Sequence, residues 1–351
     1  MARMTYLFRG AEDMHFAPIG APIVDTTSGH FRNGFARCAV AANNSYAPDG
    51  TARMASPITQ SWRIPSSYGI AISQFWFSAR IFNYGADNID FNGILWQALS
   101  AGDVPRLQLR RFGNTLPTNT YQLLKVDNAG NVTLLATTTG AMATGLLTKL
   151  DFDILYAVSG HINIYTDGSL LISFAGDTTT NGNTTITGMD LCSWGAGTVF
   201  IPAYTAWSEV IWDTSDTRSM GLVTLAPGGL GNLDQWSGTF TDVNEITLND
   251  LTANFSATAN QEQLYTGNSM PAGTYAVLDV TTTGRAATGG GAPSHFDFEI
   301  VTHATTYVSG TQTPGNSFSL QSAPWLTNPN TGVAWTITEL NVLQQGMKSI
   351  T

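Results

Sequence analysis

His161-Ile162-Asn163-Ile164-Tyr165-Thr166-Asp167-Gly168-Ser169-Leu170-Leu171-Ile172-Ser173-Phe174 is the stretch that decides the fold. Asp-Gly tolerates the left-handed backbone of a two-residue hairpin turn, and alternating apolar residues flank it on both sides. Working outward, Lys149–Val158 precedes this hairpin, and Ile186–Cys192 and Tyr204–Asp213 follow it as strand-like runs. Further back lie Thr5–Phe8, Gly34–Val40, Ile70–Phe82, Gly93–Ala98, Arg106–Phe112, Tyr121–Val126 and Val132–Thr137. Asp127-Asn128-Ala129-Gly130 predicts a second hairpin between the last two. No window in this half sustains helical periodicity, so the expectation is an antiparallel β-sandwich.

Composition agrees. Of 351 residues, 43% are hydrophobic and only 11% charged, enough apolar surface for two cores and against disorder. Formal net charge is −10, from 25 acidic and 15 basic residues, and the lysines are Lys125, Lys149 and Lys348 alone. Such a surface repels phosphate backbones, so no nucleic-acid partner is expected. Arg106, Arg110 and Arg111 come nearest to a basic patch; a strand puts Arg106 and Arg110 on one face, read as solvated or ion-paired. Met1–Gly10 lacks a signal pattern and no apolar run reaches membrane length, which predicts synthesis in a cytoplasm without membrane insertion. Cys38 and Cys192 are two buried thiols or one bridge between the first and last strands of a domain.

At Thr214–Trp236 the pattern changes, and Pro227-Gly228-Gly229-Leu230-Gly231-Asn232 reads as loop or linker. Two domains are expected, 1–214 and 215–351. In the second, Gly273–Val280, Ser294–Val301, Thr305–Val308 and Ser317–Gln321 predict a smaller β-sandwich, with Gly284–Pro293 as a Gly-rich loop. That loop lacks the Lys-Ser/Thr of a phosphate cradle. Asn328-Pro329-Asn330-Thr331-Gly332 then spells a tight turn. Thr336 and Glu339 form a capping box, and Trp335 and Leu340 have the spacing of a hydrophobic staple. Ile337, Leu340, Leu343 and Met347 continue at helical spacing with Gly346 as the stop, which predicts one short amphipathic helix with a buried stripe.

This closing segment, Asn-Pro, Gly332, Ala334-Trp335-Thr336, a short helix and Gly346-Met347-Lys348, resembles the C-terminus of a family of tailed-bacteriophage structural proteins. The first half resembles a concanavalin A-like jelly roll of the laminin-G type as it occurs in phage virion proteins. The likeness runs in order through His30–Ala36, Phe75-Trp76-Phe77-Ser78-Ala79-Arg80, Asp167-Gly168 and Trp207-Ser208-Glu209-Val210. Gly221–Leu225 and Pro227 resemble that family's bridging strand. The resemblance implies a structural protein on the virion exterior, tail, fibre or appendage associated, with capsid decoration or a host-glycan adhesin as alternatives. It also implies partners among other virion proteins and copies of itself.

Chemistry is sparse. Asp151/Asp153 and Asp297/Glu299 alternate as a retaining glycosidase pair would, but neither continues into Glu-x-Asp-x-x-Glu. His15, His30, His161, His295 and His303 are scattered, without a nucleophile elbow or a His-x-x-x-His pair. Asp87, Asn88 and Asp90 offer oxygen ligands for calcium, and equally serve turns through Asx bonding. No other cofactor is indicated, and a non-enzymatic protein is expected. Trp62, Trp76, Trp96, Trp207 and Trp212 lie in strand-like runs and read as core. Trp194 and Tyr84, beside glycine and polar residues, are the candidate glycan contacts.

Overall fold

The computed structural model describes residues 5–8, 17–19, 23–25, 38–42, 61–64, 71–84, 93–112, 119–140, 147–192, 204–244, 251–289, 291 and 293–351. The chain divides into two compact units, Met1–Leu222 and Val223–Thr351; the composition change had suggested residue 214.

The first unit is a jelly-roll-type β-sandwich. Its early strands are Thr5–Phe8 (β1), Ala17–Ile19 (β2), Ile23–Asp25 (β3), Cys38–Ala42 (β4) and Ser61–Ile64 (β5). Gln74–Tyr84 (β6), Gly93–Ser100 (β7), Val104–Phe112 (β8), Asn119–Val126 (β9) and Val132–Gly140 (β10) follow. Leu147–Leu155 (β11), Gly160–Thr166 (β12), Ser169–Gly176 (β13), Gly188–Cys192 (β14) and Tyr204–Asp213 (β15) complete it. One sheet runs β13-β12-β11-β6-β15-β4-β3, with β1 also paired to β15, and the other runs β10-β9-β8-β7-β14-β5-β2. Every pairing is antiparallel. The Asp-Gly hairpin forms as expected: Asp167 and Gly168 both have positive φ, 47° and 81°, the signature of a type I′ turn.

Period-2 alternation builds the core between the sheets. Phe75, Phe77, Phe152, Ile162, Ile164, Leu107, Leu109, Trp96, Trp207 and Trp212 are all fully buried there. Aromatic rings tile its centre, with Trp96 and Phe152 at 4.6 Å and Phe77 and Phe152 at 5.4 Å between centroids.

The second unit is a smaller sandwich. Its strands are Pro227–Asp234 (β16), Glu262–Gly267 (β17), Val280–Ala286 (β18), His295–Thr302 (β19), Thr305–Val308 (β20), Ser319–Trp325 (β21) and Gln344–Ile350 (β22). A five-stranded sheet, β16-β17-β22-β19-β20, faces a two-stranded one, β18-β21. Phe296, Phe298 and Ala323 pack between them.

Several expectations fail in this unit. Pro227–Asn232 is not a loop: it is edge strand β16, whose burial alternates along its length. Proline starts the strand, where no ladder donor is needed. The expected bridging strand Gly221–Leu225 carries no strand structure. Gly273–Val280 is irregular, and β18 begins where it should have ended, running into the supposed Gly-rich loop.

At the C-terminal segment the turn and the cap form, but the helix stops early. Gly332 N donates to Asn328 O at 2.8 Å, and Asn330 N to Asn328 Oδ1 at 2.9 Å. Thr336 N donates to Glu339 Oε2 at 2.8 Å, and Glu339 N to Thr336 Oγ1 at 3.2 Å, completing the capping box. Trp335, Leu340 and Leu343 are buried together, while Ile337 is only half-buried. The helix (α1) spans Ile337–Leu340 alone. Gly346 is therefore no helix stop. It lies within β22, which is paired on both sides, by β17 and β19. Two neighbours satisfy the backbone groups of β22 on both edges, whereas a second helical turn would leave its carbonyls facing outward. A Cβ at Gly346 would overlap the Gln263 carbonyl, so glycine is required for close strand approach. No helix among the described residues is long and apolar enough to cross a membrane, which says nothing of a β-barrel.

Candidate functional site

The residues that fill the core on one side of the eight-stranded sheet fix what stands on the other. Phe75 and Phe77 point inward, so Trp76 points out. Leu150, Phe152 and Ile154 do the same for Lys149, Asp151 and Asp153 on β11, and Ile162 and Ile164 for His161, Asn163 and Tyr165 on β12. Register then lines up two rows, Trp76–Asp153–Asn163 and Ser78–Asp151–Tyr165.

Trp76 and Tyr165 stack across β11, ring centroids 6.2 Å apart and planes at 17°. The Arg218 guanidinium carbon lies 5.1 Å from the indole centroid and 4.8 Å from the phenol centroid, a cation–π arrangement with both rings. Asp216 grips that guanidinium through Nη2 at 2.6 Å and Nε at 3.1 Å. These bonds hold the Asp216 carboxyl below its usual range and push the Arg218 guanidinium above its own. Alongside runs a relay of neutral and charged groups. Ser173 Oγ donates to Asn163 Oδ1 (2.7 Å), Asn163 Nδ2 to Asp153 Oδ2 (3.1 Å), and His161 Nε2 meets Asp153 Oδ1 at 3.1 Å.

Deeper in the same face, Lys149 Nζ lies 3.1 Å from Asp151 Oδ1. Burial dominates both groups, lowering the lysine and raising the carboxyl. Arg80 Nε donates to Glu209 Oε2 at 2.8 Å. Glu209 sits at a β-bulge with φ of 49°, a left-handed backbone that costs about 1–3 kcal/mol and aims its side chain at Arg80.

The outer face of the seven-stranded sheet is polar too, but closed. Arg110 Nη2 donates to Gln108 Oε1 (2.9 Å), Gln108 Nε2 to Gln97 Oε1 (3.0 Å) and Gln97 Nε2 to Asp190 Oδ2 (2.6 Å). Gln97 and Asp190 are 0% exposed, Gln108 3% and Arg106 4%. Arg106 and Arg110 do share a face, yet Arg106 is sealed and donates to Ser100 Oγ at 2.7 Å rather than being solvated.

Of the sequence candidates, Trp194 lies outside the described residues, as do Asp87, Asn88 and Asp90. Tyr84 ends β6 opposite Tyr204, and its side chain is outside the description. Cys38 on β4 and Cys192 on β14 belong to different sheets, with side chains likewise undescribed. Asp151 and Asp153 share a face but have separate partners: Asp151 is buried against Lys149 and Thr217, and Asp153 meets His161. His295 and His303 bond to neighbouring hydroxyls, Ser294 and Thr302. No group of three metal-ligating side chains occurs among the described residues. Trp76, read as core, is a surface residue. Its parity with Phe75 and Phe77 was the signal, since three consecutive strand residues cannot all face one way.

No protein family and no curated protein matches the chain. Solved structures do. An endo-β-1,4-glucuronan lyase from the fungus Trichoderma reesei is 9% identical, covering 60% of this chain and 95% of its own, with a TM-score of 0.43. The carbohydrate-binding module CBM66 from Bacillus subtilis is 13% identical, covering 58% and 97%, at 0.34. The alginate lyase Aly36B is 10% identical, covering 63% and 98%, at 0.35. At these identities and scores no activity passes to this chain. They do correct one expectation. Proteins named as lyases are among the matches, so the missing glycosidase pattern does not make this chain a non-enzyme.

Proposed function

We propose that this protein binds glycans through the open face of its eight-stranded sheet and is displayed on the exterior of a tailed-bacteriophage virion. The observation that carries the first part is the Trp76–Tyr165 pair beside the Ser173–Asn163–Asp153–His161 relay. Arg218 already lies over both rings, so a sugar's apolar C–H face would pack on the ring surface it leaves open. The sugar hydroxyls need bidirectional hydrogen-bond partners; amide, carboxylate and imidazole supply both directions. The virion setting, in tail, fibre or appendage and among copies of itself, is supported by the closing segment's resemblance to phage structural proteins. Capsid decoration is the second reading of that segment.

The test is binding of the purified chain to host-surface polysaccharides on a glycan array, repeated with Trp76→Ala and Tyr165→Ala. A glycan bound by the wild type and bound roughly tenfold more weakly by both variants is the expected result. Binding undiminished in both variants would move the site elsewhere.

A further inference from the structure

We propose that Lys149 is the positioning residue of this face: its ammonium pins the segment Ser215–Met220 to the sheet and so sets Arg218 on the aromatic pair. The inference rests on the reading of this face as the glycan platform, and adds how the platform is assembled.

Arg218 does not belong to a strand. It rides on the segment after β15, which no ladder holds. Met220 N donates to Thr217 O at 3.0 Å, so the segment turns back on itself and its carbonyls converge. Lys149 Nζ stands at the point of convergence. It donates to Thr217 O at 2.7 Å, Arg218 O at 2.8 Å and Met220 O at 3.0 Å, with Asp151 Oδ1 at 3.1 Å. An ammonium has three donors, and these four acceptors occupy them fully. Thr217 is fully buried and its Oγ1 donates to the same Asp151 oxygen at 3.4 Å. One strand residue thus ties down the carbonyl of Arg218 itself.

The charges facing Lys149 are Asp151 on its own strand, Arg80 on β6, Glu209 on the β15 bulge and Asp216 on the segment. Arg80 is neutralised by Glu209 and Asp216 by Arg218. Asp151 is therefore the counter-charge that keeps Lys149 protonated against its burial.

Trypsin reads this directly, because it cuts the Arg218–Ser219 bond whose carbonyl Lys149 holds. We expect that bond to be cleaved at least roughly tenfold faster in Lys149→Met than in the wild type, equivalent to about 1.4 kcal/mol of lost local protection. Lys149→Arg, which keeps donors, should stay closer to the wild type. Indole emission should shift in Lys149→Met and not in Lys149→Met/Trp76→Phe, since Trp76 is the reporter of Arg218 leaving. Equal cleavage rates in Lys149→Met and wild type would overturn the proposal.

Should Lys149→Met fail to fold, the wild-type chain supplies the answer. Cleavage at Arg218–Ser219 relative to a free peptide of Asp216–Met220 is followed from about pH 8 to about pH 10.5. Burial lowers the Lys149 ammonium, so protection should fall within that range; constant protection would sink the idea. Neither protease readout uses a glycan. If the wild type binds no glycan, the platform reading fails while the latch is judged on proteolysis alone.

Discussion

The outer face of the seven-stranded sheet and the Trp76–Tyr165 end of the eight-stranded sheet's outer face are made from the same kinds of residue and end in opposite conditions. On the eight-stranded sheet, Trp76, Tyr165, His161, Asn163 and Arg218 keep part of their surface in water. On the seven-stranded sheet, Arg110, Gln108, Gln97 and Asp190 form a chain of hydrogen bonds whose last three members are closed to solvent. Strand alternation says only which residues leave the core. Whether they meet ligand or protein depends on what lies over them. A closed polar row must satisfy itself, because an unpaired buried group costs about 1–3 kcal/mol. An open one is free to exchange water for a ligand. Sealed atoms without a hydrogen-bond partner mark where such closure is incomplete: Arg106 Nη1 and Asp151 Oδ2 in the first unit, and in the second Glu299 Oε2, on a residue 1% exposed.

Cutting the closed row should have the largest effect. Gln97→Ala removes the link between Gln108 and Asp190 and leaves a cavity; a loss of about 3–4 kcal/mol in urea unfolding is expected, from cavity and orphaned groups together. A loss under about 1 kcal/mol would mean the row is wetter than it looks.

Glu299 sharpens the contrast by pH. Burial, then the nearby Glu262 carboxylate, raises it from 4.5 to about 7, against the opposing pull of Lys348. The folded state holds this proton more tightly than the unfolded one. Its contribution is therefore full below about pH 4.5 and is lost as pH rises through about 7, a change of about 3 kcal/mol. The protection factors of the β19 and β22 amides, which set aside the intrinsic rise of exchange with pH, should fall over that window, and Glu299→Gln should flatten the dependence.

On the open face the effects should appear in binding and not in folding. Trp76→Ala is expected to weaken glycan affinity roughly tenfold, about 1.4 kcal/mol, with little change in melting temperature. The smallest effect is expected from Ser173→Ala: about twofold in affinity by titration calorimetry, and stability within about 0.5 kcal/mol.

How much of this was legible in the sequence follows the same division. The first unit's longer strands were readable from alternation and from two hairpins with Asp-Gly or Asp-x-x-Gly turns, whereas the short strands β2, β3 and β5 carry too few residues to show a period and went unread. Tyr204–Asp213 matches β15 at both ends. The second unit was harder. β16 has three glycines and a proline in eight residues, so it lacks the side chains that alternation is read from. β22 was hidden because Met347, in the strand, continues the helical spacing set by Leu340 and Leu343 before it. The site was half legible: parity alone turns Trp76 outward, but Tyr165 and Arg218 join it only through register and a turn 53 residues further on. No local pattern encodes that meeting.

The position of β22 has a consequence for how the protein is made. It lies between β17 and β19, which share no edge of their own. About forty residues separate Thr302 from Gln344, a few seconds of synthesis at about 5–20 residues per second. Through that interval the second unit emerges from the ribosome with two unpaired strand edges and Phe296, Phe298 and Ile300 bare of their final neighbours. Such edges seek any strand within reach. On a message carrying several ribosomes the nearest is the same segment on the next nascent chain, so yield should depend on spacing between ribosomes and on chaperone supply.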